Sequence, residues 1–354
     1  MYKIVVNARF LTQKLTGVQR FAFELSRRLK DELGDQIVFV APKGVIQDEI
    51  ASQLEVVTIG KMSGYFWEQI ELPIWLMKHN SPKLLNLCSV APLLYNNNYT
   101  AVHDITFVRY PETYSRLFCL VYNFLIPNIC KRSKAVITVS EFSKNEISTY
   151  YGIRKDKFTV VYNAAGKMFE PKYDEKLRGE KYFLAVSSVK SNKNFIAVLQ
   201  AFENIQKEMP DPFLYVIGDC RDKNFRALDL DRYVNNPRIK FLGRVDDENL
   251  IKYYSNAIGL VFPSYYEGFG IPVIEAQSCG CPVISSNASS LPEVLHDSAI
   301  FFSPDNVSEL SEKMLVLFHD KSLRERLVAK GFENSKRFSW DLSTDKLLDL
   351  INRQ

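Results

Sequence analysis

The 354-residue chain predicts an α/β fold of two doubly wound domains. Three observations carry that expectation: short apolar runs alternate with helical patterns in both halves, the length suits two domains, and a composition 46% hydrophobic and 13% aromatic supplies two cores. In the first half Ile4–Val6, Ile37–Val40, Leu84–Leu87, Thr100–Val102 and Ala135–Val139 are short, mainly apolar runs of the kind buried parallel strands present. A second series follows at Tyr182–Val186, Phe213–Ile217, Ile239–Phe241, Ile258–Phe262 and Val283–Ile284. The join is expected near Asn163–Gly166, with Lys172 to Lys181 as a charged connector. That divides the chain into 1–165, 166–338 and a closing helix over 339–354, whose amphipathic spacing at Leu347, Leu350 and Ile351 follows Ser339 as the candidate cap.

Composition narrows the function. No apolar run approaches the ~20 residues of a membrane-spanning helix, and the apolar start is too short for a secretory signal, so a cytoplasmic protein is expected, free or peripheral at the inner face of the membrane. Cys88, Cys119, Cys130, Cys220, Cys279 and Cys281 contain no C-x-x-C pair, and the four histidines lack ligand spacing, so reduced thiols and no metal are expected. A net charge of +4 is too small for a nucleic-acid footprint. It is unevenly spread, with +6 over residues 1–165 and −2 beyond. A basic first half suits scattered solvated lysines better than an anionic partner such as a lipid-diphosphate acceptor at the membrane, which it also suits. The aromatic stretches Gly64–Trp67 and Tyr114–Ile126 leave the same choice open between core and membrane contact.

The most informative run is Ser264-Tyr-Tyr-Glu267-Gly-Phe-Gly-Ile-Pro-Val-Ile-Glu275. It follows a predicted strand, Ile258–Phe262, and enters a helix whose first turn suits Pro272 and whose end suits Gly280. Gly268 and Gly270 allow a sharp turn and close approach of backbone to a ligand. In such strand–loop–helix units ligands bind beyond the carboxyl ends of the strands, beside the positive helix N-terminus. Glu267 is expected in the loop and Glu275 in the first helical turn. A helix N-terminus attracts diphosphate oxygens, and ionised carboxylates accept from paired sugar hydroxyls, so the run fits a nucleotide diphosphate sugar.

The run resembles the E-x7-E signature of the group 1 glycosyltransferases, retaining nucleotide-sugar-dependent enzymes with the GT-B fold. Cys281-Pro-Val-Ile-Ser-Ser-Asn-Ala-Ser-Ser-Leu-Pro-Glu293 and Arg238-Ile-Lys-Phe-Leu-Gly-Arg244 are similar to the flanking segments of that family. The resemblance implies two Rossmann-like domains facing across a cleft, with the last helix crossing back to the first domain. It assigns Glu267 to sugar hydroxyls, Glu275 to the ribose, Lys193 to the leaving diphosphate, and Gly268, Phe269, Gly270 and Ile271 to the donor. Val245, after Gly243-Arg244, falls in the loop that holds the nucleobase. Many members carry an arginine where this chain has Ser187 or Ser188, so the second cation is missing or comes from elsewhere.

In the first domain the resemblance sets the loop at Gly17 against the donor and His103 beside the donor sugar as a hydrogen-bonding group. Arg20, Asp104 and Arg109 are the candidate acceptor contacts, although a surface arginine in a first helical turn has an ordinary reading too. Asp229 and Asp231 match a D-x-D metal pair but sit in a polar stretch, which two solvated aspartates explain. Similarity of the His103 and Ser290-Leu-Pro-Glu293 segments to mannosyltransferase-like members implies GDP-mannose as donor and a saccharide or lipid-linked acceptor in surface polysaccharide assembly. No metal or other cofactor is implied. Two rivals remain: a GT-B sugar-nucleotide epimerase, which needs no acceptor, and a non-catalytic partner subunit.

Overall fold

A computed structural model describes residues 3–88, 90–187, 190–209, 211–218 and 230–353. The chain divides into two units, one of residues 1–163 with 339–354 and one of residues 164–338. Each is built on a parallel sheet.

The first unit has seven strands: β1 (Ile4–Asn7), β2 (Ile37–Ala41), β3 (Val57–Thr58), β4 (Lys83–Asn86), β5 (Asn98–Ala101), β6 (Ala135–Thr138) and β7 (Phe158–Val160), in the order β3-β2-β1-β4-β5-β6-β7. β1 pairs in parallel with β2 on one side and β4 on the other, Val5 lying opposite both Val38 and Leu84. The order therefore reverses at β1, and the carboxyl ends of β1 and β4 open a crevice where ligands of doubly wound sheets bind. Val5, Val38, Leu84, Trp67, Leu72 and Leu76 form a core on one face of this sheet.

Among the described residues the second unit has six strands: β8 (Tyr182–Val186), β9 (Phe213–Ile217), β10 (Ile239–Gly243), β11 (Gly259–Phe262), β12 (Val283–Ser286) and β13 (Ile300–Phe302), in the order β10-β9-β8-β11-β12-β13. Here the reversal lies between β8 and β11, which pair through Leu184 and Leu260. The helices needed below are α1 (Gly17–Leu33), α2 (Arg116–Arg132), α3 (Phe195–Gln206), α4 (Asp247–Asn256), α5 (Ile271–Ser278) and α6 (Trp340–Arg353).

The apolar runs located ten strands. β3, β7 and β13 escaped them because strands of two or three residues carry too little pattern, and Val57 and Thr58 are both exposed. The expected connector at Lys172 to Lys181 is corrected: it lies inside the second unit, where Lys172 N donates to Ser255 Oγ at 2.9 Å and Glu175–Arg178 is helical. The division falls between Asn163 and Ala164.

The closing helix α6 belongs to the first unit. Ser339 caps it, accepting on Oγ from Asp341 N at 3.1 Å and on its carbonyl from Ser343 N at 3.0 Å. Trp340 and Ile351 are almost fully buried and Leu347 entirely so, Trp340 sits edge-on to Phe21, and Ser343 Oγ donates to the Tyr162 carbonyl at 2.7 Å. Arg28 of α1 adds an ion pair to Asp341 at 2.6 Å.

Candidate functional site

In the second unit the order reversal brings the loops after β8 and β11 side by side. The first loop tightens through a 3-10 turn, Ser191–Lys193, and Asn194 takes a left-handed conformation before α3. Asn192 staples the two loops: its carbonyl accepts from Tyr265 N at 2.8 Å and its amide donates to the Tyr266 carbonyl at 3.0 Å. Lys193 Nζ consequently meets both Glu267 oxygens, at 2.6 and 2.7 Å. Ser264 Oγ donates to the same carboxylate at 2.7 Å. The Glu267 backbone is fixed as well, its N–H donating to Ser289 Oγ and its carbonyl accepting from Ser290 Oγ, both at 3.0 Å.

Glu267 is thus 9% exposed and anchored from β11, β8 and the turn after β12. Lys193 and Glu267, which the sequence assigned to different parts of the donor, form one charge-assisted pair. Gly270 turns the chain into α5 at φ +94°, a left-handed conformation that favours glycine. Ile271 opens the helix with Pro272 behind it.

Two expectations change. Glu275 lies one residue past the first turn of α5, since the helix begins at Ile271. It is 7% exposed and sets its charge against α4: burial first and then Glu275 push the Tyr254 phenol well above its ordinary value, and the same two causes push the Cys279 thiol up to about 12. The Phe269 ring is buried edge-on to Phe338 at 5.2 Å, so only its backbone can serve a donor. Val245 is half-buried in the turn after β10, where Gly243 O accepts from Gly218 N at 2.9 Å. Ser188 and Asp229 lie outside the described residues.

The first unit holds a cavity of about 280 Å³ at its own order reversal, lined among others by Arg9, Gln13, Thr16, Gln19, His103 and Asp104. Gly17 begins α1 as expected, and the preceding Thr16 N–H is capped by Gln19 Oε1 at 3.1 Å. Arg20 occupies the first turn of α1, half-buried. Asp104 Oδ1 accepts from Thr106 N and Oγ1 at 2.8 and 2.6 Å, which holds the turn into Thr106–Arg109. Arg109 is corrected as an acceptor contact: it pairs with Glu146 at 2.5 Å and lies over the Tyr150 ring, outside the cavity lining.

His103 is 6% exposed, and its Nε2 lies 3.0 Å from the Leu87 carbonyl. A carbonyl only accepts, so Nε2 carries the proton and Nδ1 is left as an acceptor. Burial holds the imidazole below its ordinary 6.5, against the Leu87 carbonyl and the Asp104 charge. The unfolded chain therefore takes up a proton that the folded chain refuses, and stability falls as pH drops below that value, by at most ~1.4 kcal/mol per pH unit. Urea titrations at pH 7 and 5 should show a steeper loss in the wild type than in His103→Gln; equal losses would remove this group as the cause.

Arg9, to which the sequence reading gave no role, lines the cavity, and Glu68 pairs with it. Arg9 leaves β1 and is 8% exposed, its Nε 3.1 Å from Glu68 Oε1. Glu68 is 1% exposed and sits in a π-helical turn, Trp67–Glu71, a geometry frequent at functional sites. Asn7 Nδ2 donates to the same oxygen at 2.6 Å and to Asn86 Oδ1 at 3.1 Å. Burial works against the charge on both partners; Glu68 nevertheless holds Arg9 raised, while burial leaves the Glu68 carboxyl raised despite Arg9 and Asn7. Tyr114, Phe118 and Tyr122 stack in sequence along the wall, at 4.9 and 3.9 Å. The only sequence signal for the pair was a lone arginine just past a strand end.

Comparison with known proteins follows the same division. A model described as "Glycosyl transferases group 1" matches residues 169–334, and one described as "Glycosyltransferase Family 4" matches residues 15–165. The "O-antigen chain mannosyltransferase B" of Escherichia coli is 26% identical over 98% of this chain and 98% of its own. The "O-antigen chain mannosyltransferase RfbU" of Salmonella typhimurium is 34% identical over 65% of this chain and 64% of its own. Among solved structures, a glycosyltransferase from Rickettsia africae superposes with a TM-score of 0.77 at 20% identity, covering 99% of this chain and 98% of that one. Anabaena HepE, solved in complex with UDP and glucose, superposes with a TM-score of 0.77 at 15% identity over the whole of both chains. The fold is GT-B, and each unit matches a glycosyltransferase family model, the second unit that of the group 1 glycosyltransferases.

Proposed function

We propose that the protein is a retaining, metal-independent hexosyltransferase that moves mannose from GDP-mannose to a saccharide or lipid-linked hydroxyl during surface polysaccharide assembly. The Lys193–Glu267 pair at the order reversal of the second sheet carries this reading. A donor diphosphate brings anionic oxygens that Lys193 and the backbone N–H groups of Gly270 and Ile271 are suited to meet, and Glu267 accepts from sugar hydroxyls. Glu275 is assigned to the ribose. As the bond from C1 to the diphosphate breaks, the acceptor oxygen bonds C1 on the same face and its proton passes to the departing phosphate oxygen. No protein nucleophile is needed. Mannose is favoured by the two O-antigen mannosyltransferases to which the chain is similar.

A thermal-shift screen against GDP-, UDP-, ADP- and dTDP-sugars tests the donor, because a ligand that binds only the native state raises its apparent stability. GDP-mannose should give the largest shift, and NMR of the transferred sugar should show the anomeric configuration of the donor. An inverted product, or free modified nucleotide without transfer, would overturn the assignment.

The acceptor proposal extends to an anionic membrane. Among the described residues no helix is long and apolar enough to cross one. Phe66, Ile70, Ile74 and Met77 nevertheless recur at helical spacing and are 72, 43, 44 and 59% exposed. Leu117, Leu120 and Phe124 do the same on α2, each more than 60% exposed. Gln69 ties the first of these segments to the loop before β5 through Ala91 O and Leu93 N, and Ala91 in that loop packs with Leu125 and Ile129 of α2. Arg116, Lys131 and Arg132 add positive charge at the ends of α2. Co-sedimentation with phosphatidylglycerol vesicles should exceed that with phosphatidylcholine, and Leu120→Glu with Phe124→Glu should reduce it at least tenfold; unchanged partition would remove this surface.

A further inference from the structure

Three serines at and after the end of β12 hold the backbone of the Ser264–Glu267 run. Ser286 Oγ donates to the Ser264 carbonyl, Ser290 Oγ donates to the Glu267 carbonyl at 3.0 Å, and Ser289 Oγ accepts from the Glu267 N–H at 3.0 Å. Ser286 and Ser290 are fully buried, whereas Ser289 is half-buried and sits in the left-handed region at φ +54°. An L side chain is crowded in that region, and glycine takes the same turn freely. Glycine, however, has no oxygen to offer the Glu267 N–H. Serine here gives up backbone ease and supplies an acceptor, the pattern of a residue kept out of its preferred conformation for the sake of a site. Asn194, beside Lys193, is also left-handed at φ +51°, but asparagine visits that region readily. The chain around Glu267 shows what the bond is for. Gly268 and Gly270 follow it and impose little stiffness of their own. Its carboxylate is gripped by Ser264 and Lys193, and a donor diphosphate competes for Lys193. With the donor in place the side chain relies on Ser264 and on a backbone fixed from the β12 loop.

We infer, resting on the glycosyl-transfer reading above, that Ser289 is a positioning residue for the reaction. Its hydroxyl fixes the Glu267 N–H, so that the carboxylate keeps its place on the sugar when the diphosphate draws Lys193 away, and the left-handed turn is what brings that hydroxyl into reach. Ser289 acts through Glu267.

Ser289→Gly and Ser289→Ala in the full chain test it, since both delete the hydroxyl and only the first relaxes the backbone. Both should lower kcat for sugar transfer about tenfold and to the same level, because small displacements of a group that holds the reacting sugar are strongly felt. The KM for the nucleotide sugar and the affinity for GDP by calorimetry should stay within about twofold of the wild type, as the bond does not reach the nucleotide. The glycine variant should nevertheless melt about 2–4 °C above the alanine variant in the second unit's calorimetric transition. Hydrogen-exchange mass spectrometry should show at least tenfold faster exchange at the Glu267 amide in both. Wild-type kcat in either folded variant would overturn the inference. Turnover that follows melting temperature, with glycine restoring what alanine loses, would do the same, since that is the behaviour of a purely structural serine. Unchanged exchange at Glu267 would also overturn it. Each of these results leaves the transferase reading standing so long as the wild type transfers sugar. A wild type that binds no nucleotide sugar and transfers none overturns that reading, and the role of Ser289 in turnover with it, whatever the exchange rates.

Discussion

Glu267→Gln is expected to lower sugar transfer at least about 100-fold while the fold persists and nucleoside diphosphate affinity holds or improves. The replacement keeps the shape of the side chain and an oxygen that Ser264 can still bond, and the Ser289 and Ser290 bonds reach only the backbone. It removes the negative charge. A charge-assisted hydrogen bond to the reacting sugar contributes about 1.5–3 kcal/mol, and loss of one electrostatic anchor at a transition state lowers rates by roughly 10²–10³. The second half of the expectation comes from the ion pair. Lys193 is held on both Glu267 oxygens, so a diphosphate must compete for it or share it. Glutamine relaxes that hold. Calorimetry with GDP should therefore show a dissociation constant equal to or below that of the wild type, and Lys193→Met should weaken GDP binding and transfer together. Near-normal transfer by Glu267→Gln would end the assignment of this residue to the sugar. GDP binding lost in parallel with transfer would show that the carboxylate serves the site's structure instead.

Much of this was legible because local rules agreed. The run from Ser264 to Glu275 combines a buried strand, a glycine that must take φ +94°, a helix-opening proline and a carboxylate, and each element formed where its chemistry placed it. Lys193 and His103 came from the family resemblance, and each lies in a loop after a strand. What stayed hidden depends on pairing across sequence distance. Glu68 lies 61 residues from Asn7, and nothing in Trp67-Glu-Gln marks a π-helical turn that aims a carboxylate inward. Ser264 and Ser289 were visible as residues but not as partners of Glu267, since the β11–β12 register that joins their loops is a tertiary fact. Arg109 misled because a cation near a strand end looks the same whether a ligand or Glu146 receives it. Glu275 misled by one residue, because a helix start at Ile271 cannot be told from one further along.

Glu68→Ala should cost the first unit about 3–5 kcal/mol, the range for removing one partner of a buried ion pair. Arg9 would be left 8% exposed, with its cation facing the Tyr65 ring at 5.2 Å and no carboxylate. Asn7 would lose its 2.6 Å bond and keep the weaker one to Asn86. The cost comes from stranding a charge more than from losing an attraction, so deleting both charges behaves differently. Arg9→Met combined with Glu68→Leu restores apolar volume without desolvating an ion, and should lie within about 1–2 kcal/mol of the wild type, well above the single variant. The three tryptophans, Trp67, Trp75 and Trp340, all belong to the first unit, so tryptophan fluorescence in a urea titration follows that unit separately from the second. A Glu68→Ala midpoint close to wild type would mean that water reaches Arg9 once the carboxylate is gone. A double variant as unstable as the single would instead place the stabilisation in the packing of the π-helical turn around Trp67, whose indole N–H is tied to the Ile59 carbonyl at 2.8 Å.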